Sequence, residues 1–242
     1  MIERKDFLRR IQSNIDEYGY HVTLVTGMGS PRFAYTIGCK EILGSELIFA
    51  SGEFYSKDDI NSIIDPIVKE LKKGIDWQGV SLKINSLGSF SLSKVDKSWT
   101  RLIALGAFDF YKQNEIQALQ ILPDREHRTL DIPDMSGEFD VTSQPIWQSL
   151  VREWDYPVPR DSTAVTNLRV LFGEKATEVV RWELDGWEIF AGSAPDVPKE
   201  DMRVVPLGVL LGIDNSLMPA IHLKIEEGIW RDVDDLVWHA WE

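Results

Sequence analysis

The sequence predicts an α+β protein of two domains, each a mostly antiparallel sheet packed with helices. Short segments of strand character alternate with segments whose apolar residues recur every three or four positions, a pattern typical of mixed α and β structure. The chain has 242 residues, of which 43% are hydrophobic and 10% aromatic. This length exceeds that of a common single domain, and this composition is that of a folded protein.

The domain boundary is predicted from a change in pattern. Apolar periodicity stops within residues 151–163, where Pro157 and Pro159 favour extended backbone in the residues before them. We therefore expect a first domain over residues 1–150, a linker over 151–163 and a second domain over 164–242.

The first domain is expected to open with a helix and a hairpin. Apolar residues at positions 7, 8, 11, 15 and 18 predict an amphipathic helix that ends near Gly19. Residues 21–25 and 33–37 have strand character, and residues 27–31 are typical of the turn that joins two such strands. Residues 45–50 supply a third strand.

A second helix follows. Apolar residues at positions 60, 63, 64, 67, 68 and 71 have helical spacing, with Ser56 placed to cap the helix and Gly74 to end it. Pro66 is expected to kink this helix or divide it in two, because proline lacks an amide donor. The remaining elements of the domain are predicted as paired strands over 80–84 and 90–95, a helix over 99–111 and a strand over 116–122 that ends at Pro123.

The second domain is predicted to be smaller. Its expected strands are residues 164–166, 177–184 and 187–190, with a short helix over 167–172 that Gly173 closes. Residues 204–211 predict a helical stretch that begins after Pro206, residues 214–221 are rich in turn formers, and residues 228–238 are expected to hold an edge strand.

The first domain carries motifs of a known bacterial family. The string Phe33-Ala34-Tyr35-Thr36-Ile37-Gly38, preceded by residues 18–22, resembles the opening signature of the family called domain of unknown function 4262. Later segments follow in the family's order: residues 45–50, the helix after them, Ala118-Leu119-Gln120 leading into Pro123-Asp124, and Gln144-Pro145. The resemblance covers roughly residues 5–150. It departs at residues 126–128 and 132–133, where the family usually has a glycine and a tryptophan, and it implies no established activity.

The second domain resembles another family, domain of unknown function 2185, over about residues 164–240. The similar residues are Asp185-Gly186-Trp187, Phe190, Gly192, Val205-Pro206-Leu207, Ile213-Asp214 and 228–231. The residue that usually separates the aspartate and glycine of the first motif is missing here. Members of that family include immunity proteins of bacterial polymorphic toxin systems, so the resemblance implies a protein that neutralises a toxin by binding it.

The charge balance restricts the expected partners. The chain holds 26 Lys and Arg residues against 39 Asp and Glu residues, a net charge of −13, which disfavours nucleic acids and anionic membranes as partners. Residues 165–242 alone carry 7 basic and 15 acidic residues. A basic protein partner is therefore expected. The alternative, that the negative surface only keeps the protein soluble, stays open.

Composition also indicates the compartment. The single cysteine, Cys39, cannot form an intramolecular disulfide, and the charged start of the sequence lacks the apolar core of a signal peptide, so we expect a cytoplasmic protein. Cys39 is expected to be a small buried side chain rather than a nucleophile.

No residue pattern favours catalysis. The four histidines have no two-ligand spacing, and His127, near Asp124 and Asp131, is the least implausible metal ligand among them. We predict no metal, no cofactor and no catalytic residue, and so no enzyme.

A binding surface is predicted in the last third of the chain, which holds five of the nine tryptophans, at positions 182, 187, 230, 238 and 241. Tryptophan anchors many protein interfaces, and nearby carboxylates can meet lysine or arginine of a partner. The predicted partner-binding residues are Asp196, Glu200, Asp201, Glu226, Glu227, Trp230, Asp232, Asp234, Asp235 and Trp238.

Two other functions stay open. An enzyme or small-molecule-binding protein would use a pocket in the first domain near Tyr35, Trp77 and Gln120, because ligand pockets are concave and mostly apolar. Alternatively, the first domain is a scaffold and only the second domain contacts a partner.

Overall fold

The computed structural model describes residues 4–27, 29–79, 81–193 and 196–241. The chain divides into two compact units. Unit 1 comprises Met1–Val25, Arg32–Arg128 and Asp134–Phe139, and unit 2 comprises Thr26–Pro31, Thr129–Pro133 and Asp140–Glu242. Within the described residues each unit holds one six-stranded sheet, so the predicted α+β class with two sheet-bearing domains is confirmed.

The unit 1 sheet has the strand order β1-β2-β3-β6-β5-β4. Its strands are β1 (His21–Val25), β2 (Phe33–Ile37), β3 (Glu46–Ala50), β4 (Ser81–Lys83), β5 (Ser89–Lys94) and β6 (Ala118–Pro123). Strands β3 and β6 are parallel, and the other neighbours are antiparallel. The predicted hairpin is confirmed, with His21 paired to Ile37 and Val25 to Phe33. The predicted pairing of β4 with β5 is also present, although Val80, in the predicted range, lies outside the described residues.

Five α-helices accompany this sheet in the described part of unit 1. They are α1 (Arg4–Tyr18), α2 (Cys39–Leu43), α3 (Asp59–Leu71), α4 (Lys97–Ile103) and α5 (Leu105–Tyr111). Helix α3 buries its apolar face in the core of the unit, and Ser56 and Asp59 cap its start through reciprocal hydrogen bonds. The helix runs through Pro66 as one element, so the predicted division did not occur. The predicted helix over 99–111 is two helices that meet at Ala104.

The unit 2 sheet has the strand order β10-β7-β9-β8-β11-β12. Its strands are β7 (Thr163–Asn167), β8 (Glu178–Arg181), β9 (Gly186–Phe190), β10 (Met202–Pro206), β11 (Gly228–Trp230) and β12 (His239–Ala240). Among the described strands of this second sheet, only β7 and β9 pair in parallel. Helices α6 (Leu168–Leu171) and α7 (Leu207–Ile213) complete the unit with a 3₁₀ segment at Asn215–His222.

Two features of this unit differ from the predictions. Residues 202–206 form strand β10, which pairs with β7 and was not predicted, whereas the helix begins at Leu207, directly after Pro206, as predicted. Strand β11 is not an edge strand, because β12 pairs with its outer side. Both differences come from pairing between segments that are distant in sequence, which a local pattern does not encode.

The predicted linker lies within unit 2. Residues 140–163 contribute buried side chains to this unit: Trp147 is 1% exposed and Val158 is 5% exposed. The indole Nε1 of Trp147 donates a hydrogen bond of 3.0 Å to the carbonyl of Asp131. A segment without apolar periodicity can therefore be an integral part of a core, because single large side chains anchor it.

Across the described residues, no helix combines the length and apolar character needed to span a bilayer.

Candidate functional site

Strand β11 and the residues after it alternate between the core and the surface of unit 2. Ile229 and Arg231 are buried, whereas Trp230 and Asp232 are exposed. This alternation follows from the two-residue period of extended backbone. It places Trp230 and Asp232 on the surface of unit 2 and the cationic residue between them in the interior.

Arg231 is that buried cation, with a side chain that is 0% exposed. Its guanidinium donates hydrogen bonds to the carbonyl of Ala176 (2.6 Å) and to Oγ of Ser216 (2.8 Å), and it pairs with Oδ2 of Asp214 at 3.2 Å. Lys175 also pairs with Asp214, at 2.8 Å. The buried charge is thus fully compensated, which is the condition for a stable buried ion pair.

Burial disfavours the ionised form of Asp214, but hydrogen bonds from Lys175 and Ser216 outweigh that effect, so the pKa of Asp214 lies below its usual value. The carboxylate is therefore charged at neutral pH and balances the charge of Arg231.

Trp238, a predicted partner-binding residue, covers this buried pair. Its ring centroid lies 4.1 Å from the guanidinium carbon of Arg231, and its Nε1 donates a hydrogen bond of 2.9 Å to the carbonyl of Ser216. The side chain is half-buried and packs against the unit 2 core. These contacts give Trp238 a structural role in holding the end of the chain on unit 2.

The residues around Trp238 form what we call the C-terminal surface, defined as Trp230, Asp232, Val233, Asp234, Asp235, Leu236, Val237 and Trp241. All of them are exposed. Val233 is 62% exposed, Val237 53% and Trp241 45%. Several large apolar side chains and three carboxylates are thus exposed together on one short segment, a combination that is typical of protein-binding surfaces.

A groove of about 470 Å³ opens beside Trp230 and Trp241. Its lining residues are Arg169, Glu174, Thr177, Glu178, Gly192, Ser193, Trp230, Arg231, Asp232, Val233 and Trp241. The guanidinium of Arg169 at its rim is bound by Glu174. Two exposed indole rings thus line the groove. Its acidic side chains are Glu174, Glu178 and Asp232, whereas Arg169 and Arg231 each pair with a carboxylate.

The predicted acidic residues divide into three groups. Asp232, Asp234 and Asp235 belong to the C-terminal surface. Glu226 and Glu227 lie in the turn before β11, where Glu227 accepts hydrogen bonds from the backbone and side chain of Lys224. This turn sits at the opposite end of β11 from Asp232.

The third group, Asp196, Glu200 and Asp201, precedes β10. Asp196 donates its backbone N–H to the carbonyl of Ser193, a residue of the groove, at 3.1 Å. Glu200 and Asp201 lie in a 3₁₀ turn that leads into β10. Three strands separate β10 from β11 in the sheet, a span of about 19 Å at the usual strand spacing. The ten predicted residues therefore do not form one continuous site.

Sequence reasoning missed Trp241, Val233, Leu236 and Val237. Trp241 is one of the five C-terminal tryptophans but is not among the predicted binding residues. Its ring packs at the start of β11, since a Cβ built on Gly228 would lie 2.6 Å from the ring. Apolar residues beside carboxylates were the available signal, because a buried segment rarely holds three Asp residues within four positions.

The three residues of the alternative pocket in unit 1 do not meet at one cavity. The Tyr35 hydroxyl accepts a hydrogen bond from the Gly106 N–H at 3.0 Å, and Gln120 Oε1 accepts one from the Met135 N–H at 3.3 Å. Trp77 lines a separate open groove of about 550 Å³ that includes neither Tyr35 nor Gln120. Tyr35, Trp77 and Gln120 therefore do not mark a shared pocket, and the alternative of a ligand pocket elsewhere in unit 1 stays a prediction.

The motif at residues 33–38 instead builds a buried carboxylate. Glu46 is 1% exposed and accepts hydrogen bonds from the hydroxyls of Thr36 and Tyr111 and from the N–H groups of Gly38 and Lys40. Burial nevertheless raises the pKa of Glu46. Cys39 beside it is fully buried, and burial, followed by the charge of Glu46, raises the pKa of its thiol to about 12. The thiol stays protonated at neutral pH and is a poor nucleophile.

His127 pairs with Asp124, its Nδ1 lying 2.6 Å from Oδ1, and both side chains press against Gly88. A Cβ built on Gly88 would come within 2.6 Å of His127 Nδ1. Asp124 also accepts the Ser89 N–H, so the pair ties the end of β6 to the β4–β5 turn. In the described part of the chain, no group of three or more His, Cys, Asp or Glu side chains is arranged to hold a metal ion.

Comparison with known proteins identifies one family. Residues 14–129 match the family described as Domain of unknown function (DUF4262), which supports the resemblance of the first domain. The matched segment runs from α1 through β6 and so includes most of unit 1. No curated protein and no solved structure matches the chain.

Proposed function

We propose that this protein is a binding protein that occludes a basic partner domain through the C-terminal surface, and that the partner is the toxin of a bacterial polymorphic toxin system. The supporting observation is the cluster of exposed apolar side chains interleaved with Asp232, Asp234 and Asp235. The resemblance of residues 164–240 to a family that includes immunity proteins supports the choice of toxin as partner.

The carboxylates and the indole rings have different tasks in this proposal. The carboxylates steer a basic partner during encounter and raise the association rate, an effect that weakens as salt rises. Trp230 and Trp241 supply the buried contact area that slows dissociation. Arg231 and Trp238 keep the segment in place, so the surface is pre-organised before binding.

The proposal is tested by co-expressing the protein with toxin domains encoded beside its gene, and by measuring complex formation at two salt concentrations. We expect the wild type to rescue growth and to copurify with one such toxin. A variant that neutralises Asp232, Asp234 and Asp235 to asparagine should associate at least tenfold more slowly at low salt and differ less at high salt.

The matched control neutralises three exposed glutamates of unit 1, Glu41, Glu115 and Glu138, to glutamine. This control changes the net charge by the same amount and should leave the association rate within about twofold, because these glutamates are not part of the C-terminal surface and solvent and salt screen exposed charges. Rescue of no neighbouring toxin, or equal binding by both triple variants at every salt concentration, would contradict the proposal.

A further inference from the structure

Unit 1 carries a second concave site that the proposed function does not use. A groove of about 570 Å³ is formed by α1, the start of β1 and α3. This volume lies within the range of small-molecule sites. The lining residues are Arg10, Asn14, Tyr18, Tyr20, His21, Val22, Asn61, Asp65, Val68, Lys69 and Lys72.

The groove is locally basic on a chain of net charge −13. Arg10, Lys69 and Lys72 line it, all three are exposed, and none forms an ion pair within the residues that the structure describes. Asp65 is the one carboxylate among the lining residues, and its Oδ1 accepts the hydroxyl proton of Tyr20. The groove therefore holds three cationic side chains against one carboxylate, although acidic residues dominate the chain.

The ammonium of Lys72 has a defined position. A Cβ built on Gly19 would lie 3.3 Å from Lys72 Nζ, so the ammonium sits over the turn that joins α1 to β1. Gly19 has a φ of +87°, a backbone conformation that favours glycine. The turn thus leaves room for the lysine head group at the point where the groove begins.

His21 adds a hydrogen-bond donor to the groove. Its side chain lines the groove although the residue is only 8% exposed, and Asn14 Nδ2 donates a hydrogen bond of 2.8 Å to its Nδ1. Burial, and then the nearby charge of Arg10, lowers the pKa of His21, so the ring is neutral at pH 7. A neutral ring that accepts at Nδ1 carries its proton on Nε2, and this N–H has no hydrogen-bond partner in the described part of the chain. Solvent reaches the Nε2 atom, so its N–H is available to an acceptor that enters the groove.

We propose that this groove binds a small phosphate monoester, with the phosphate oxygens held by Lys69, Lys72, Arg10 and the His21 N–H. A phosphate monoester carries a charge of about −1.5 to −2 at pH 7. Together with the single carboxylate of Asp65, this charge balances the three cations more closely than Asp65 alone does. Lysine is a common point-charge partner of phosphate. Tyr18 and Tyr20 line the groove and offer apolar ring surface to the organic part of the ligand.

The test titrates the full chain with inorganic phosphate, and separately with adenosine 5′-monophosphate and adenosine, at constant ionic strength, with detection by two-dimensional NMR. We expect saturable shifts at His21, Asn14 and Lys72, with a millimolar dissociation constant for phosphate and tighter binding of the monophosphate. Adenosine without phosphate should produce no saturation at these residues.

Two lysines on neighbouring positions provide the matched pair of variants. Lys72→Glu places a carboxylate in the groove and should weaken phosphate binding about tenfold or more, the loss expected when one charge-assisted contact is removed. Lys73→Glu changes the net charge equally, but Lys73 is exposed, bonds to Glu70 at 2.6 Å and is not among the lining residues, so binding should change less than twofold.

The proposal is overturned if the wild type shows no saturable shift at these residues up to about 50 mM phosphate, beyond the millimolar range expected for this contact set. It is also overturned if the shifts map outside the groove, or if both variants lose binding equally. The wild-type titration decides the question even if Lys72→Glu fails to fold. Its outcome is independent of toxin binding, because it involves unit 1 residues alone.

Discussion

The guanidinium of Arg231 lies 4.1 Å from the ring centroid of Trp238, so a buried cation fastens the acidic end of the chain to unit 2. The same ring donates to the carbonyl of Ser216, whose hydroxyl accepts from Arg231. The indole of Trp238 thus belongs to a polar network with Ser216, Arg231 and Asp214. The arrangement distinguishes Trp238, which stabilises the fold, from Trp230 and Trp241, which are exposed.

We predict that Trp238→Ala lowers the free energy of unfolding by about 2–4 kcal/mol, because it removes packing, a hydrogen bond and a cation–π contact together. Trp241→Ala should cost less, about 1 kcal/mol, since Trp241 is 45% exposed and belongs to no buried ion-pair network among the described residues. Urea denaturation of both variants checks this difference. Equal stability of the two variants would mean that Trp238 is not the residue that holds the segment.

Asp214 should stabilise the protein only above acidic pH. Because its folded pKa lies below the ordinary value of 3.8, its contribution is present above that pH and is lost as the pH falls through the folded value. Asp214→Ala leaves Arg231 buried without a carboxylate and should cost about 3–5 kcal/mol at pH 7. The difference between wild type and variant should shrink below about pH 4 in unfolding experiments across pH. A difference that is constant down to pH 2 would contradict the lowered pKa.

Glu46 should show the opposite pH dependence. Burial holds its folded pKa above the ordinary value of 4.5, so its stabilising contribution is full below that pH and is lost as the pH rises through the folded value. We therefore expect the unfolding free energy of the wild type, relative to Glu46→Gln, to fall as the pH rises from about 4 to 8. Glu41→Gln, an exposed glutamate of helix α2, is the control and should show no such trend. A rising difference would mean that the four hydrogen-bond donors outweigh burial.

Local patterns were sufficient for the elements that bury one regular face. The apolar spacing of Ile60 to Leu71 and the strand character of the β1–β2 hairpin predicted both elements correctly. They failed at Met202–Pro206, where pairing with β7 imposes a strand on residues that continue into a helix. They also failed at His239–Ala240, a two-residue strand that is defined only by its partner β11.

The candidate surface was predicted only in part, for a related reason. Charge density located Asp232, Asp234 and Asp235 correctly on the outside, because exposed carboxylates need no specific neighbour. Trp238 is half-buried because its ring packs on the guanidinium of Arg231. The sequence does not indicate that this arginine is fully buried. Trp230 and Trp238 were therefore treated alike, although Trp238 is bound to the core and Trp230 faces the groove.

Gly29 and Gly27 provide a last test, of the assignment of Thr26–Pro31 to unit 2. Both glycines have positive φ, +69° and +94°, so alanine strains the backbone similarly at each position. A Cβ on Gly29 would lie 2.1 Å from the carbonyl oxygen of Arg160, whereas a Cβ on Gly27 meets no described atom within 4 Å. We expect Gly27→Ala to cost about 1 kcal/mol and Gly29→Ala about 3 kcal/mol or more, because a backbone carbonyl cannot yield as a flexible side chain does. Denaturation curves of the two variants measure the excess directly, and equal losses would show that Gly29 does not pack against residue 160.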